Sequence, residues 1–175
     1  MQQFKNQIVD FSKKWIEKKI GWKEGPNYQV DGPKVTKVGT DSGRWDANAI
    51  SNVPLSGIGV VQFSFKVTGD CIYGVATSTF DQSKDPGKQM GYFISSIDGK
   101  LYSGITGEYG AEYSGTYKNK SLAQRMTVDF DNLTISFTSD FGNFRGPVAF
   151  YFQKGALLYP VVGLLRPGNT ATIIV

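Results

Sequence analysis

The feature that most constrains this chain is the alternation of apolar and polar side chains between Gln124 and Gly163. Large apolar residues occupy every second position over residues 126–130, 133–137 and 148–152. A period of two places these residues on one face of a half-buried β-strand. Asp131-Asn132 lies between the first two runs and predicts a hairpin turn, because both residue types tolerate positive φ. The stretch therefore predicts an antiparallel meander with one apolar and one polar face.

Similar short runs continue the pattern upstream. From Gly57 onward they are separated by turn residues such as Thr68-Gly69-Asp70 and Asp98-Gly99. Regularly spaced short strands of this kind predict an all-β, two-sheet antiparallel β-sandwich. The chain of 175 residues is long enough for a single domain with a sizeable core.

Five segments of this sequence read YGVA (73–76), GY followed by DG (91–99), LTISF (133–137), GPVAF (146–150) and LYPVV (158–162). In this order they resemble segments of the SPRY (B30.2-like) domain family. The matches extend over residues 45–175. The resemblance implies a concanavalin-like jelly roll that presents loops from one edge of the sandwich to protein partners.

One departure marks the chain as a divergent member of that family. The family often has a Trp-Glu pair in the strand that here reads VVQFSF (60–65), so we expect Phe63 or Phe65 to fill that core position. The organisation we expect is an N-terminal helix over 1–24, an irregular segment over 25–56 and the sandwich over 57–175. Within 25–56, only one short strand around Val35 is predicted.

The N-terminal segment carries the clearest helical pattern in the sequence. Phe4, Ile8, Phe11 and Trp15 fall on one face of an α-helix, which ends near Gly21. Three roles fit this amphipathic helix: packing on the sandwich, which we favour, docking in a groove of a partner, or lying on a membrane surface.

The residue types argue against an enzyme and against a cofactor. The chain has no histidine and a single cysteine, Cys71, which removes histidine-based catalytic triads and thiolate zinc sites. Asp129 and Asp131 have the spacing of paired carboxylates in a glycan-cleaving jelly roll. Because Asp131 falls in a predicted turn, we favour a structural role for both.

A carbohydrate-binding, lectin-like jelly roll is the alternative function. Sugar sites in such sandwiches combine acidic residues, asparagine and a stacked aromatic ring, often with calcium. Asp81, Asp85 and Asn119 could contribute to such a site, but they form no dense ligand motif. We therefore expect no metal and no cofactor.

Charge and hydropathy narrow the class of partner. The net charge of +4 comes without a long basic run or an arginine-rich stretch, so a nucleic-acid partner is not expected. The sequence has no apolar stretch of transmembrane length and no signal peptide, which predicts a cytoplasmic protein.

The candidate partner-binding residues lie in the predicted loops. Arginine and tryptophan are common energetic anchors of interfaces, and loops rich in Tyr, Ser and Gly give adaptable contact area. The sequence thus predicts a protein–protein interaction module, serving as an adaptor, a scaffold or a substrate-receptor subunit of a larger complex. Its candidate partner-binding residues are Arg44, Trp45, Asp46, Phe80, Tyr109, Tyr113 and Tyr117.

Overall fold

The computed structural model describes residues 21–113, 124–139 and 146–174, which form thirteen β-strands and one short 3-10 turn, Pro86–Lys88. In chain order the strands are β1 (Tyr28–Asp31), β2 (Lys34–Lys37), β3 (Ala47–Ile50), β4 (Val60–Thr68), β5 (Cys71–Ala76), β6 (Gly91–Ser95), β7 (Leu101–Tyr102), β8 (Tyr109–Ala111), β9 (Gln124–Asp129), β10 (Thr134–Ser139), β11 (Val148–Tyr151), β12 (Tyr159–Leu164) and β13 (Thr170–Ile174). No helix within these ranges has the length and apolar character needed to span a membrane.

The strands form two antiparallel sheets. The seven-stranded sheet has the order β1-β2-β13-β4-β9-β10-β11, and the six-stranded sheet has the order β3-β12-β5-β6-β7-β8. The predicted all-β, two-sheet antiparallel sandwich is therefore confirmed. Residues 1–20 of the N-terminal helix predicted over 1–24 lie outside the described ranges. Residues 21–24 are not helical: Trp22 forms an isolated antiparallel bridge with Ser51, so this end of the prediction is wrong.

Three strands of the predicted meander are present as β9, β10 and β11, whereas the last run of the alternating stretch forms β12 in the six-stranded sheet. Ile135 pairs with Val128 and Phe137 pairs with Met126, and all four side chains are buried. The turn between β9 and β10 is longer than the two residues predicted. It spans residues 130–133, because the Asp129 carboxylate accepts hydrogen bonds from the backbone N–H groups of Asp131 and Asn132.

Aromatic rings connect the two sheets. Tyr73 on β5 of the six-stranded sheet contacts Phe65 on β4 and Phe137 on β10, with ring centroids 5.4 Å and 5.7 Å away. Phe63 and Phe65 are 2% and 0% exposed, so both occupy the core where one was expected. These contacts fix the sheets face to face.

A second apolar cluster covers the opposite face of the six-stranded sheet. Because side chains alternate along β5, Ile72 and Ala76 point away from Tyr73 and Val75. Phe80, from the long β5–β6 connection, packs there against Phe93 with ring centroids 6.2 Å apart. The partly buried residues Trp45, Tyr102 and Tyr159 pack against this cluster. The β5–β6 connection and Trp45 therefore rest on an apolar base.

Residues 25–56 are more regular than predicted. They contribute β1 and β2, which form a hairpin around Gly32 (φ +54°), and β3, which pairs with β12. Each of these strands has four residues, too few for a clear alternating pattern. All four side chains of β3 are buried, so the strand lacks the alternating exposed positions that would mark a half-buried strand.

Candidate functional site

Two loops at one edge of the sandwich enclose a cavity of about 550 Å³. The β2–β3 loop (residues 38–46) forms one wall, and the β5–β6 loop (residues 77–90) forms the other. We call this space the loop cavity; it is lined by Ser42, Gly43, Arg44, Trp45, Asp46, Ser83 and Asp85. Both charge signs and one large aromatic ring are therefore available to a ligand.

The β2–β3 loop is held by a buried lysine at the end of β2. The Lys37 ammonium group donates to the Asp46 carboxylate and to the backbone carbonyls of Arg44 and Leu165, at 2.5, 3.2 and 2.7 Å. Its side chain is 1% exposed, and these three acceptors match its three N–H groups. Ser42 completes the arrangement by donating to the other carboxylate oxygen of Asp46. Lys37 thus fixes the backbone on both sides of Trp45.

A buried asparagine on β3 ties the two loops to each other. The Asn48 amide nitrogen lies 2.7 Å from the carbonyl of Trp45, 3.2 Å from that of Gln82 and 2.9 Å from that of Lys84. Asn48 pairs with Gly163 on β12, where a Cβ atom would come within 2.4 Å of the Asn48 amide oxygen. A glycine at position 163 therefore leaves the amide room to reach both loops.

The β5–β6 loop has its own internal support. The Gln89 side chain accepts from the backbone N–H of Asp81 and donates to the carbonyls of Asp81 and Lys84. Asp85 accepts from the N–H of Gly87 at 2.8 Å and so caps the 3-10 turn. These bonds give the wall that carries Ser83 and Asp85 a defined backbone path.

A smaller recess of about 130 Å³ adjoins the loop cavity and shares Trp45 and Asp85 with it. Its other side is formed by Tyr102 and Tyr109, whose rings are perpendicular with centroids 5.2 Å apart. Ile72 and Asp98 also line this recess. We call it the aromatic slot, after Trp45, Tyr102 and Tyr109.

The architecture is shared with solved structures, whereas no family model and no curated protein matches the sequence. The SPRY domain of human HERC1 is 17% identical with a TM-score of 0.59, over 89% of this chain and 94% of that one. A second human SPRY domain is 20% identical with a TM-score of 0.64, over 87% and 96%. The PSpry domain of TRIM65 is 10% identical with a TM-score of 0.66, over 95% and 98%. The chain has the SPRY fold.

Within this SPRY fold, the predicted site residues separate into three groups. Arg44, Trp45 and Asp46 line the loop cavity, and Tyr109, 62% exposed, lines the adjoining aromatic slot. Phe80 is buried beneath them in the second apolar cluster. The structure therefore brings four of the predicted residues to one surface, with Phe80 as part of its support.

The other two tyrosines lie elsewhere. The Tyr113 hydroxyl is within hydrogen-bonding distance of the carbonyls of Phe137 and Pro147, and it accepts from the N–H of Phe137. Its ring packs on Phe137 at 6.1 Å between centroids. Tyr113 thus joins the β10–β11 edge and lines neither cavity. Tyr117 lies outside the described residues.

The acidic residues weighed for sugar chemistry have structural partners in this SPRY fold. Asp129 is 1% exposed, and its two carboxylate oxygens accept from backbone and side-chain groups of the β9–β10 turn. Hydrogen bonds from Ser83, with a contribution from Lys84, lower the pKa of Asp81. Across residues 21–113, 124–139 and 146–174, no group of three or more metal-binding side chains is assembled. Asn119 lies outside those ranges.

Two anchors of the site, Lys37 and Asn48, are absent from the sequence prediction. Lys37 lies in a short strand with another lysine, Lys34, three positions earlier, and the pattern does not distinguish the buried one from the exposed one. Asn48 lies between two alanines in a segment predicted to be irregular. Tyr102 and Asp98 join the site only because β7 lies beside β6 in the sheet. Each of these roles depends on contacts between distant parts of the chain.

Stability should depend on pH through Asp46. Burial raises its pKa, but hydrogen bonds from Lys37 and Ser42 and the charge of Lys37 outweigh this, so the pKa lies below the usual 3.8. The unfolded chain then binds the proton more readily. The contribution of Asp46 is complete above the unfolded value and is lost as pH falls through the folded one.

Urea unfolding of the wild type and of Asp46→Asn measures this contribution. We expect a constant difference in unfolding free energy between about pH 7 and about pH 5, and a smaller difference below pH 3.8. A difference that stays the same down to about pH 2 would show that the pair with Lys37 does not favour the charged carboxylate.

Proposed function

We propose that this chain is a non-catalytic protein–protein interaction module that binds its partner through the β2–β3 and β5–β6 loops. The observation that supports it is the loop cavity, where an exposed arginine and a half-buried tryptophan adjoin on a backbone held by buried polar residues. Arginine and tryptophan are the residue types that most often dominate binding energy at interfaces. An adaptor, a scaffold or a substrate-receptor subunit would use such a surface.

The state of each side chain supports this assignment of roles. The Arg44 side chain is exposed, and its guanidinium group forms no hydrogen bond or ion pair with any residue that the structure describes. Trp45 packs one part of its ring on the second apolar cluster and lines both the loop cavity and the aromatic slot with the rest. Asp46 is engaged by Lys37 and Ser42, so it positions the loop. Arg44 and Trp45 are therefore the proposed contact residues.

Preorganisation is the physical advantage of this surface. Ordering a mobile loop on binding subtracts from affinity, whereas a loop already held in place avoids that cost. Lys37, Asn48 and Gln89 hold both loops through backbone groups. Tyr109, on the far side of the slot, extends the proposed surface, and Phe80 supports it from below. Contributions from Tyr113 and Tyr117 remain predictions from the sequence.

The non-catalytic assignment is supported by the engagement of Asp129, whose carboxylate already bonds to its own turn. Packing of the N-terminal helix on the sandwich, its alternative docking in a groove of a partner, and a cytoplasmic location also remain predictions from the sequence. Selective binding of one sugar on a glycan array, lost on Trp45→Ala, would favour the lectin-like alternative over the present proposal.

Peptide selection tests the proposed surface directly. We expect a random peptide library displayed on phage, selected against the wild-type chain, to yield peptides whose affinity falls about tenfold or more on Trp45→Ala. Arg44→Ala should weaken the same peptides, since it removes an unpaired cation at the cavity. Affinities are read by isothermal titration calorimetry.

Tyr151→Ala provides the matched control. Tyr151 is 71% exposed on β11, at the edge of the seven-stranded sheet opposite to β1 and β2. The Tyr151→Ala substitution removes an aromatic ring away from the loop cavity, so peptide affinity should stay unchanged. If every selected peptide binds Trp45→Ala as well as the wild type, the loop face is not the binding surface.

A further inference from the structure

The aromatic slot has the shape of a site for one side chain. Its volume of about 130 Å³ is about a quarter of that of the loop cavity. Three aromatic rings line it, those of Trp45, Tyr102 and Tyr109, and Ile72 of the apolar cluster also contributes to the lining. A helix or a strand is too large for this space, whereas the end of a long side chain fits.

One ring of the slot already attracts a cation. The ammonium group of Lys88 lies 5.4 Å from the centroid of the Tyr109 ring, within the range of a cation–π interaction. Lys88 comes from the 3-10 turn and does not line the slot. The contact shows that the electron-rich ring of Tyr109 attracts a positive charge, and it places the Lys88 ammonium group over one face of that ring.

The charges of the slot are negative. One carboxylate oxygen of Asp85 accepts a hydrogen bond from the backbone N–H of Gly87, and one of Asp98 accepts from that of Lys100. Neither carboxylate forms an ion pair within the described part of the chain. Of the nearby lysines, Lys84 pairs with Asp81, Lys100 pairs with Glu112, and Lys88 lies over the Tyr109 ring without forming an ion pair in the described ranges. The two exposed carboxylates are therefore available to a cation from outside.

The effect of these carboxylates reaches the aromatic wall. Burial raises the pKa of Tyr102, and the negative charges of Asp98 and Asp85 raise it further, as does Tyr109. The negative charges that disfavour the ionised, phenolate form of Tyr102 favour a cation at the same place. The aromatic rings and the carboxylates of the slot thus both attract a cation.

We propose that the aromatic slot binds the side chain of a lysine or arginine from the protein partner. The aliphatic part of that side chain packs between Trp45 and Tyr102, and its charged end reaches Asp85 and Asp98. This inference rests on the proposed function, since it names the chemistry of one contact on the same surface. It predicts that partners carry a basic residue at the position that enters the slot.

A titration with capped amino acids tests the slot without any knowledge of the partner. The probes are the N-acetyl, N-methylamide derivatives of lysine, arginine, norleucine and glutamate, added to the ¹⁵N-labelled full chain and followed by NMR. Lysine and arginine should cause saturable shifts at the Trp45 indole N–H and at the amides of Tyr102 and Tyr109. Norleucine, which keeps the aliphatic chain without the charge, should bind about fivefold to tenfold more weakly.

Paired substitutions identify the carboxylates responsible. Asp85→Asn/Asp98→Asn keeps the oxygen that accepts each backbone N–H, so the loops should remain folded while affinity for the basic probes falls about fivefold to tenfold. Asp31→Asn/Asp131→Asn makes the same change in net charge at exposed positions elsewhere and should leave binding unchanged.

The outcomes separate this inference from the proposed function. Equal binding of norleucine and lysine, absence of saturable shifts at the slot, or full affinity in Asp85→Asn/Asp98→Asn would each overturn the inference. Any of these results leaves the proposed function standing if selected peptides still require Trp45. Loss of the Trp45 dependence with lysine-specific shifts intact would instead overturn the proposed function.

Discussion

Truncation of Phe137 to alanine should lower the free energy of unfolding by about 3–5 kcal/mol, the usual cost of deleting a buried phenylalanine ring. Phe137 is 1% exposed and contacts three other rings, with centroids at 5.7 Å for Tyr73, 6.1 Å for Tyr113 and 6.4 Å for Phe150. Because Tyr73 lies on the opposite sheet, the change removes a contact between sheets as well as apolar area. Urea unfolding followed by tryptophan fluorescence measures the loss.

Tyr151→Ala is the matched control for this experiment. Tyr151 lies on β11, next to the strand that carries Phe137, but its side chain is 71% exposed. Surface substitutions of this kind usually change stability by about 0.5 kcal/mol or less. Equal effects of the two substitutions would mean that the inward and outward faces of the meander are wrongly assigned.

Replacement of Lys37 by methionine should cost about 2–4 kcal/mol. Removing one member of a buried ion pair leaves its partner uncompensated, which typically costs about 3–5 kcal/mol. The Asp46 side chain is 26% exposed, so water recovers part of that loss. The carbonyls of Arg44 and Leu165 also lose their donor. Chemical unfolding gives the loss, and a hydrogen-exchange experiment should show faster exchange confined to the β2–β3 loop.

Lys34→Met is the matched control, since Lys34 is exposed on the same strand. It should change stability by less than about 0.5 kcal/mol. The double variant Lys37→Met/Asp46→Leu should be less destabilised than the sum of its single variants, because an apolar pair leaves no unpaired charge. Additive losses would show that the pair itself contributes nothing.

The strands of the sandwich could be predicted because their side chains alternate over many positions. β4 and β9 to β11 face the core on one side and solvent or polar groups on the other, so Phe63, Ile135 and Phe150 reveal their faces in the sequence. Of β1 to β3, only a short strand around Val35, the position of β2, was predicted. All three are short: β2 and β3 pair with β13 and β12, which lie more than a hundred residues later in the chain, and β1 pairs with β2 alone.

The sequence allowed the proposed contact residues of the candidate site to be predicted. It did not allow prediction of the buried residues that hold the loops, such as Lys37 and Asn48. Arg44 and Trp45 are recognisable by residue type and by the turn signals around them. Tyr113 follows a glutamate and precedes a small residue, as Tyr109 does, yet its hydroxyl bonds to β10, whereas Tyr109 is 62% exposed and lines the aromatic slot. That difference depends on which strand each residue packs against. A tertiary contact of this kind leaves no local pattern in the sequence.

Lys37 and Asn48, which hold the two loops, donate mostly to backbone carbonyls. Lys37 reaches the carbonyls of Arg44 and Leu165, and Asn48 reaches those of Trp45, Gln82 and Lys84. Every non-proline residue type offers the same carbonyl, so substitutions at positions 44, 45 and 84 leave these acceptors in place, whereas the Gln82 side chain itself bonds to Tyr28 and to the carbonyl of Asn48. The side chains of the proposed contact residues can therefore change separately from the framework that displays them. New binding specificities can be evolved or engineered at these positions while the fold and the position of the loops are retained.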